Sequence, residues 1–498
     1  MSKYVLTIDA GTTSERAILF NKKGEILNIA QKELKQFYPK SGWVEHDADE
    51  IWETQKFTID SVLQKSGIDI SELAVIGITN QRETTVIWDR ETGKTLHKAI
   101  VWQDRRTSEY CDELKSDGHL EIIQDKTGLL IDSYFSATKI RWILDHVEGA
   151  QKSAENGKLA FGTIDSWLLW KLTEGKVHAT DVTNASRTML FNIHELDWDD
   201  DLLNLFNIPK SMLPEVKQSS DYYGDTDPEI FSKSIPIGGI AGDQQSALFG
   251  QMCVNPGMVK NTYGTGCFLI MNTGSKAIKS KNNLLTTIAW KINNEVSYAL
   301  EGSIFIGGAI VQWLRDNVDF IDSAQEVEAL AESVEDNGGV YFVPGFVGLG
   351  APHWDQFSTG LIIGLTRGTK KGHIARAALE ALALQSMEVV ETMSLDSNIK
   401  IKELRVDGGA SANDLLMQIQ SDIAELKVVR PKIIETTAQG VAFMAGLHIG
   451  YWESIEEIQS LWTVEKKFIP LKTNLRSIKK NWQKAVQRAK SWVEKENI

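Results

Sequence analysis

Asp9 closes the apolar run Tyr4–Ile8 and is followed by the tight polar turn Gly11-Thr12-Thr13-Ser14. A carboxylate at a strand end, beside small residues with free backbone N–H groups and hydroxyls, suits magnesium and phosphate oxygens. The stretch also reads as a β-hairpin with a polar tip. A second acid, Asp243, is delivered by the small and apolar run Gly239–Gly242 to the start of a helical pattern. A carboxylate there is favoured by the helix dipole and can accept a proton from a substrate hydroxyl. Taken alone, it reads first as a helix N-cap; the flanking glycines and the following Gln244-Gln245, which let another molecule approach the backbone, favour the chemical reading.

Three further segments offer binding groups. Gln81-Arg82-Glu83-Thr84 puts a cation and an anion side by side at a strand exit, either as an ion pair or as separate ligands for polyol hydroxyls. In Trp102-Gln103-Asp104-Arg105-Arg106 the indole face can cover a small carbon skeleton, or it can pack in the core. Tyr263-Gly264-Thr265-Gly266 resembles the opening turn in composition and could hold the other end of a phosphate chain. Asp407–Asn413 reads as a glycine-bearing strand–helix loop; a base or ribose can lie against its backbone, with Asn413 as a hydrogen-bonding group.

These segments need strand ends and helix starts to hold them. Strands are expected at Tyr4–Ile8, Arg16–Phe20, Ile26–Lys35, Ala74–Thr79 and Val86–Trp88, with an amphipathic helix at Asp49–Lys65. In the second half, strands are expected at Val259–Tyr263, Cys267–Met271, Val296–Glu301 and Leu404–Asp407. Helices are expected at Ala309–Asp316 and Ala324–Ser333, with another from Ala412 to about Leu426 capped by Ser411. Each half opens with strand–Gly/Thr turn–strand, which predicts two related α/β domains meeting near Gly250–Gly257. Lys479–Lys495 reads as a surface helix.

Composition bounds the function. The chain has 498 residues, 42% apolar and 24% charged, with a net charge of −14. That length favours two domains, and the acidity argues against nucleic acid as a partner. Cys111, Cys253 and Cys267 are far apart and form no CxxC pair, which suits a reducing compartment. The chain opens Met-Ser-Lys before a short strand, so no signal peptide is expected, nor any membrane span of about 18 apolar residues. A cytoplasmic location follows. There is no P-loop, GxGxxG, HExxH or EF-hand pattern. Asn184-Ala185-Ser186 fits a glycosylation pattern, of little meaning in a cytosolic protein.

Along nearly its whole length the chain resembles the glycerol kinase family of FGGY carbohydrate kinases. The carrying segments are Asp9–Arg16, Asn80–Thr84, Trp102–Arg106, Ser133–Ser136, Ala241–Gln245, Tyr263–Phe268, Gln312–Asp316, Gly348–Trp354 and Asp407–Asn413. The resemblance implies an α/β fold of two duplicated, actin- and hexokinase-like (ribonuclease H-like) domains, 1–250 and 251–498, closing on ATP and glycerol. It implies glycerol contacts at Arg82, Glu83, Trp102, Tyr134, Asp243 and Gln244. It implies nucleotide contacts at Thr12, Thr13, Ser14, Arg16, Thr265, Gly308, Gln312, Gly409 and Asn413. Asp243 falls on the catalytic base, and Asp9 with Asp243 on the magnesium carboxylates. A homodimer or homotetramer is implied as well.

The chain departs from the family at three places. Ala10 stands where members often have Gln. Ser234 precedes Ile235, where some bacterial members carry an Arg that binds fructose bisphosphate. The loop Ile230–Lys233 lacks the phosphorylatable His of others. The nearest alternative is a sister kinase acting on xylulose or gluconate. Further off stand a nucleotide-driven conformational protein and a sugar-binding protein.

Overall fold

The computed structural model describes residues 3–471 and 475–493. In the first half, β1 (Tyr4–Ala10), β2 (Ser14–Phe20) and β3 (Ile26–Glu33) form an antiparallel meander. Helix α1 (Ala48–Ser66) follows. Asp47 caps its N-terminus by accepting from the Asp49 and Glu50 amides, and Gly67 ends it in the left-handed conformation at φ 62°. Ile51, Trp52, Ile59 and Val62 are the buried stripe, as their spacing predicts, and α1 covers β2 and β3 with it. Next come β4 (Leu73–Asn80) and β5 (Ile237–Gly242), both parallel to β1, and then helix α2 (Asp243–Gly250). The sheet order is β5-β4-β1-β2-β3.

The second half repeats this plan. Its main elements include β6 (Val259–Tyr263), β7 (Cys267–Gly274), β8 (Leu285–Ile292), β9 (Glu295–Ile304), α3 (Ala309–Asp316), α4 (Lys371–Ser397), β10 (Glu403–Asp407), α5 (Asp414–Ala424), β11 (Lys427–Pro431), α6 (Thr436–His448) and β12 (Val464–Phe468). The sheet runs β8-β9-β7-β6-β10-β11-β12. Within it, β9, β7 and β6 pair antiparallel, and β10 and β11 lie parallel to β6. The five-strand plan therefore occurs twice, with β8 and β12 added at the second sheet's edges.

The helix that follows the last parallel strand crosses over in each half. Helix α2 packs on β6, β7 and β8 of the second sheet, while α6 packs on β5, β4 and β1 of the first. The two helices also pack on each other, and their backbones touch at glycines. A Cβ on Gly440 would lie 1.8 Å from the Ser246 carbonyl oxygen, and one on Gly250 would lie 2.0 Å from that of Thr436. Any side chain there would push the halves apart.

One local expectation changes. Helix α5 is capped by Asn413, whose Oδ1 accepts from the Leu416 amide at 2.7 Å. Ser411 sits instead in a short 3₁₀ turn, its hydroxyl donating to the Gly408 carbonyl at 2.6 Å. Asn184 is fully buried and bonded to Asn80, so it is no glycosylation acceptor. The C-terminal helix spans Arg476–Ala489 and buries Trp482, Ala485, Val486 and Ala489; of the expected Lys479–Lys495 run, 494 and 495 lie outside the described residues.

Candidate active site

The site gathers where β1, β4 and β5 end. In an open parallel sheet the strands' C-terminal edge is where loops converge on a ligand. Asp9 sits at the end of β1, Arg82 and Glu83 just beyond β4, and Asp243 just beyond β5. The register sets Asp9 level with Thr79 and Ala241, so all of these groups line one edge.

Asp243 is the first residue of α2. Gly242 occupies the N-cap, so Asp243 does not cap the helix. Its side chain is 32% exposed and lies 3.2 Å from the Arg82 Nε. The surrounding protein pushes its carboxyl pKa up, against the opposing pull of Arg82 and Lys260. A raised carboxyl pKa makes the carboxylate a better proton acceptor.

Arg82 and Glu83 each take their closest partners elsewhere. Arg82 forks onto Glu301 of β9, with Nη1–Oε2 at 2.6 Å and Nη2–Oε1 at 2.9 Å. Glu83 accepts from Arg187 Nε at 2.6 Å, and Arg187 Nη2 reaches Glu301 at 3.1 Å. The direct Arg82–Glu83 approach is longer, at 3.8 Å. Glu83 also holds a left-handed backbone, φ 62°, which is sparsely populated for a residue with a Cβ. Burial would raise the Glu301 carboxyl, but Arg187 and Arg82 beside it bring it down to about 2. Two guanidiniums and two carboxylates thus brace one another in the interior. Taking these charges out of water costs much of what their mutual attraction returns, so the network adds little net stability, while removing one partner would be costly.

Aromatic rings stand beside these charges. Trp102 is only partly buried and meets Tyr134 edge-on at 5.5 Å. It meets Phe268 of β7 at 6.3 Å, so the wall is built from both halves. The Tyr134 hydroxyl lies 3.4 Å from Arg82 Nη2. The Trp102 indole N–H donates to the Thr12 hydroxyl at 2.9 Å, joining this wall to the opening turn.

That turn is closed by the Gly11 amide donating to the Ser14 carbonyl at 3.0 Å, and it leaves Thr13 exposed. Arg16 grips the Asp9 carboxylate and also reaches Glu435, at the start of α6, at 2.6 Å. The second turn places Gly264 and Thr265 at the surface. The Gly308 amide donates to Gly264 O at 2.8 Å, fixing the start of α3, on which Gln312 is exposed. Gly408 turns at φ 82° under Tyr263, where a Cβ would lie 2.6 Å from the Tyr263 carbonyl oxygen. Gly409 beyond it is exposed. Asn413 has its side-chain carbonyl committed to the α5 cap, which leaves its amide N–H₂ to donate to a ligand.

Among the described residues, no cluster of three or more His, Cys, Asp or Glu could cage a metal. Magnesium does not need one, because it keeps waters and phosphate oxygens around one or two carboxylates. Asp9 and Asp243 on one strand edge fit that donor set.

The sequence reading missed Arg187, Glu301, Lys260 and Phe268. Glu301 had a visible signal, an acid inside an apolar strand. Phe268 lay within a segment already singled out. Arg187 and Lys260 gave none.

Residues 4–250 match the FGGY family of carbohydrate kinases, N-terminal domain, and residues 259–449 match its C-terminal domain. The chain is 58% identical over 494 residues to a glycerol kinase of Paraburkholderia phytofirmans and 59% identical to one of Burkholderia pseudomallei, covering 99% of each chain. It superposes on the crystal structure of Plasmodium falciparum glycerol kinase with ADP at a TM-score of 0.91 and 38% identity, covering 98% of both chains. A xylulose kinase of Lactobacillus acidophilus shares the fold, with a TM-score of 0.84 and 22% identity over 98% of this chain and 97% of that one.

Proposed function

The chain belongs to the FGGY family of carbohydrate kinases, and from that premise we propose that it transfers the γ-phosphoryl group of ATP to a terminal hydroxyl of glycerol, giving sn-glycerol 3-phosphate. The observation that carries this reading is Asp243. Its partly exposed carboxylate stands 3.2 Å from Arg82, at the edge where Trp102, Tyr134 and Phe268 gather.

Phosphoryl transfer asks for positioning and charge neutralisation more than covalent chemistry. Arg82, Glu83 and Gln244 hold the glycerol hydroxyls, and the three rings cover its short carbon chain. Asp243 accepts the attacking hydroxyl's proton as the oxygen–phosphorus bond forms. Thr12, Thr13, Ser14 and Arg16 face the phosphates from one half, and Thr265, Gly308, Gln312, Gly409 and Asn413 hold the nucleotide from the other. Thr12 accepts from the Trp102 indole, so its own hydroxyl proton is left for a phosphate oxygen. Asp9 and Asp243 would hold magnesium, which when bound with ATP offsets the phosphate charge. Residues 1–250 and 251–498 act as two jaws whose closure keeps water from the phosphoryl group.

The described helices include none long and apolar enough to cross a membrane, and all three cysteines are free and buried. A cytoplasmic homo-oligomer is the setting we infer.

A coupled ADP-release assay across glycerol, xylulose and gluconate tests the substrate. Glycerol should give the highest kcat/KM. Faster turnover of either sugar-derived substrate would overturn the proposal.

A further inference from the structure

Lys260 is the second residue of β6 and is fully buried. A lysine ammonium is costly to bury without partners. Here it donates to the Thr262 hydroxyl at 2.8 Å and, across the junction between the halves, to the Gln244 side-chain oxygen. Asp407, Asp243, Arg82 and Glu301 are the charged groups that act on it. Gln244 is the second residue of α2, directly after Asp243.

An amide has an oxygen that only accepts and a nitrogen that only donates, and its two ends point opposite ways. An ammonium can only donate. Lys260 therefore admits one orientation of the Gln244 amide, with Oε1 toward β6 and the N–H₂ group turned away from it. A reversed amide would set two donors against each other.

We propose that Lys260 is a positioning residue that fixes Gln244 as a hydrogen-bond donor to a substrate hydroxyl. This rests on the glycerol reading above. The division of labour follows from it. Asp243 takes the hydroxyl's proton, while the neighbouring Gln244 donates to an oxygen lone pair, so the pair recognises a polyol by both faces of its hydroxyls. Because Lys260 comes from the second sheet and Gln244 from the first half, the amide is set only when the halves are together.

The test compares Lys260→Met, Gln244→Ala and the double variant in steady-state kinetics on the full chain. Lys260→Met should raise the glycerol KM by about tenfold, the scale of a lost hydrogen bond of roughly 1.4 kcal/mol, while leaving the ATP KM little changed. The double variant should be no worse for glycerol than Gln244→Ala alone, and Lys260→Arg should recover part of the loss. Additive effects, or an ATP KM that rises as much as that of glycerol, would overturn the inference. If Lys260→Met does not fold, Gln244→Glu serves. The ammonium would still have its acceptor, but the substrate would meet an acceptor in place of a donor. Its glycerol KM should rise; an unchanged value would overturn the inference. A wild-type enzyme that ignores glycerol overturns the functional reading instead.

Discussion

Gly440→Ala tests how closely the two halves are joined. The added Cβ would lie 1.8 Å from the Ser246 carbonyl oxygen, 2.7 Å from its carbon and 2.9 Å from the Gly250 amide nitrogen. All three are backbone atoms, so no side chain can swing aside. An ordinary contact needs about 3.4 Å, which means α2 and α6 must separate by about 1.6 Å. Alanine is the better helix former by about 1 kcal/mol, which opposes the clash. Overpacking a tight core costs roughly 1–3 kcal/mol, and an immobile backbone puts this site at the upper end. We expect a net loss of about 2 kcal/mol in a denaturant titration. The consequence for turnover should be larger, because α2 begins with Asp243. A displacement near 1 Å at a reacting group can cost about 10²-fold. Gly368→Ala is the control for substitution itself, since a Cβ there meets only the Thr366 hydroxyl, at an ordinary 3.7 Å. A Gly440→Ala enzyme of wild-type stability and turnover would show that α2 and α6 are not held in backbone contact.

Two further perturbations read the site's internal links. Trp102→Phe keeps an aromatic, though smaller, ring and removes the N–H that reaches Thr12. It should lower kcat/KM about five- to tenfold, and Thr12→Val should add little on top. Additive losses would mean the two side chains act separately. Glu301→Gln leaves Arg82 and Arg187 without their shared anion and should destabilise the protein by about 3 kcal/mol at neutral pH. The Glu301 carboxyl is depressed from 4.5 to about 2, so its contribution is present above pH 4.5 and lost as pH falls toward 2. The stability gap between wild type and variant should narrow over that range. A constant gap would count against the ion network.

Where chemistry is signalled by neighbours in sequence, the residues announced it. The Asp9–Ser14 turn, the α1 stripe and the two turns at Tyr263–Gly266 and Asp407–Gly409 all lie where alternation, spacing and glycine predict. Partners far apart in sequence did not announce themselves. Glu301 meets Arg82 across 219 positions, and no local pattern encodes that. Helix α4 was not anticipated because it is buried on nearly all sides, so it lacks the apolar–polar contrast that marks a surface helix. At the start of α5 two residues could serve as cap, and the glycine-led 3₁₀ turn shifted the role from Ser411 to Asn413. The exchange of α2 and α6 between sheets is a property of the whole fold and has no sequence signature.

The role proposed for Asp243 is to take the proton of a glycerol hydroxyl during phosphoryl transfer. The most direct measurement is single-turnover phosphorylation by Asp243→Asn, with glycerol and ATP binding measured separately by calorimetry. The amide preserves shape and polarity but cannot accept the proton, so the rate should fall about 10²–10⁴-fold while both ligands still bind. An Asn variant that phosphorylates glycerol at near the wild-type rate would show that Asp243 is not the base.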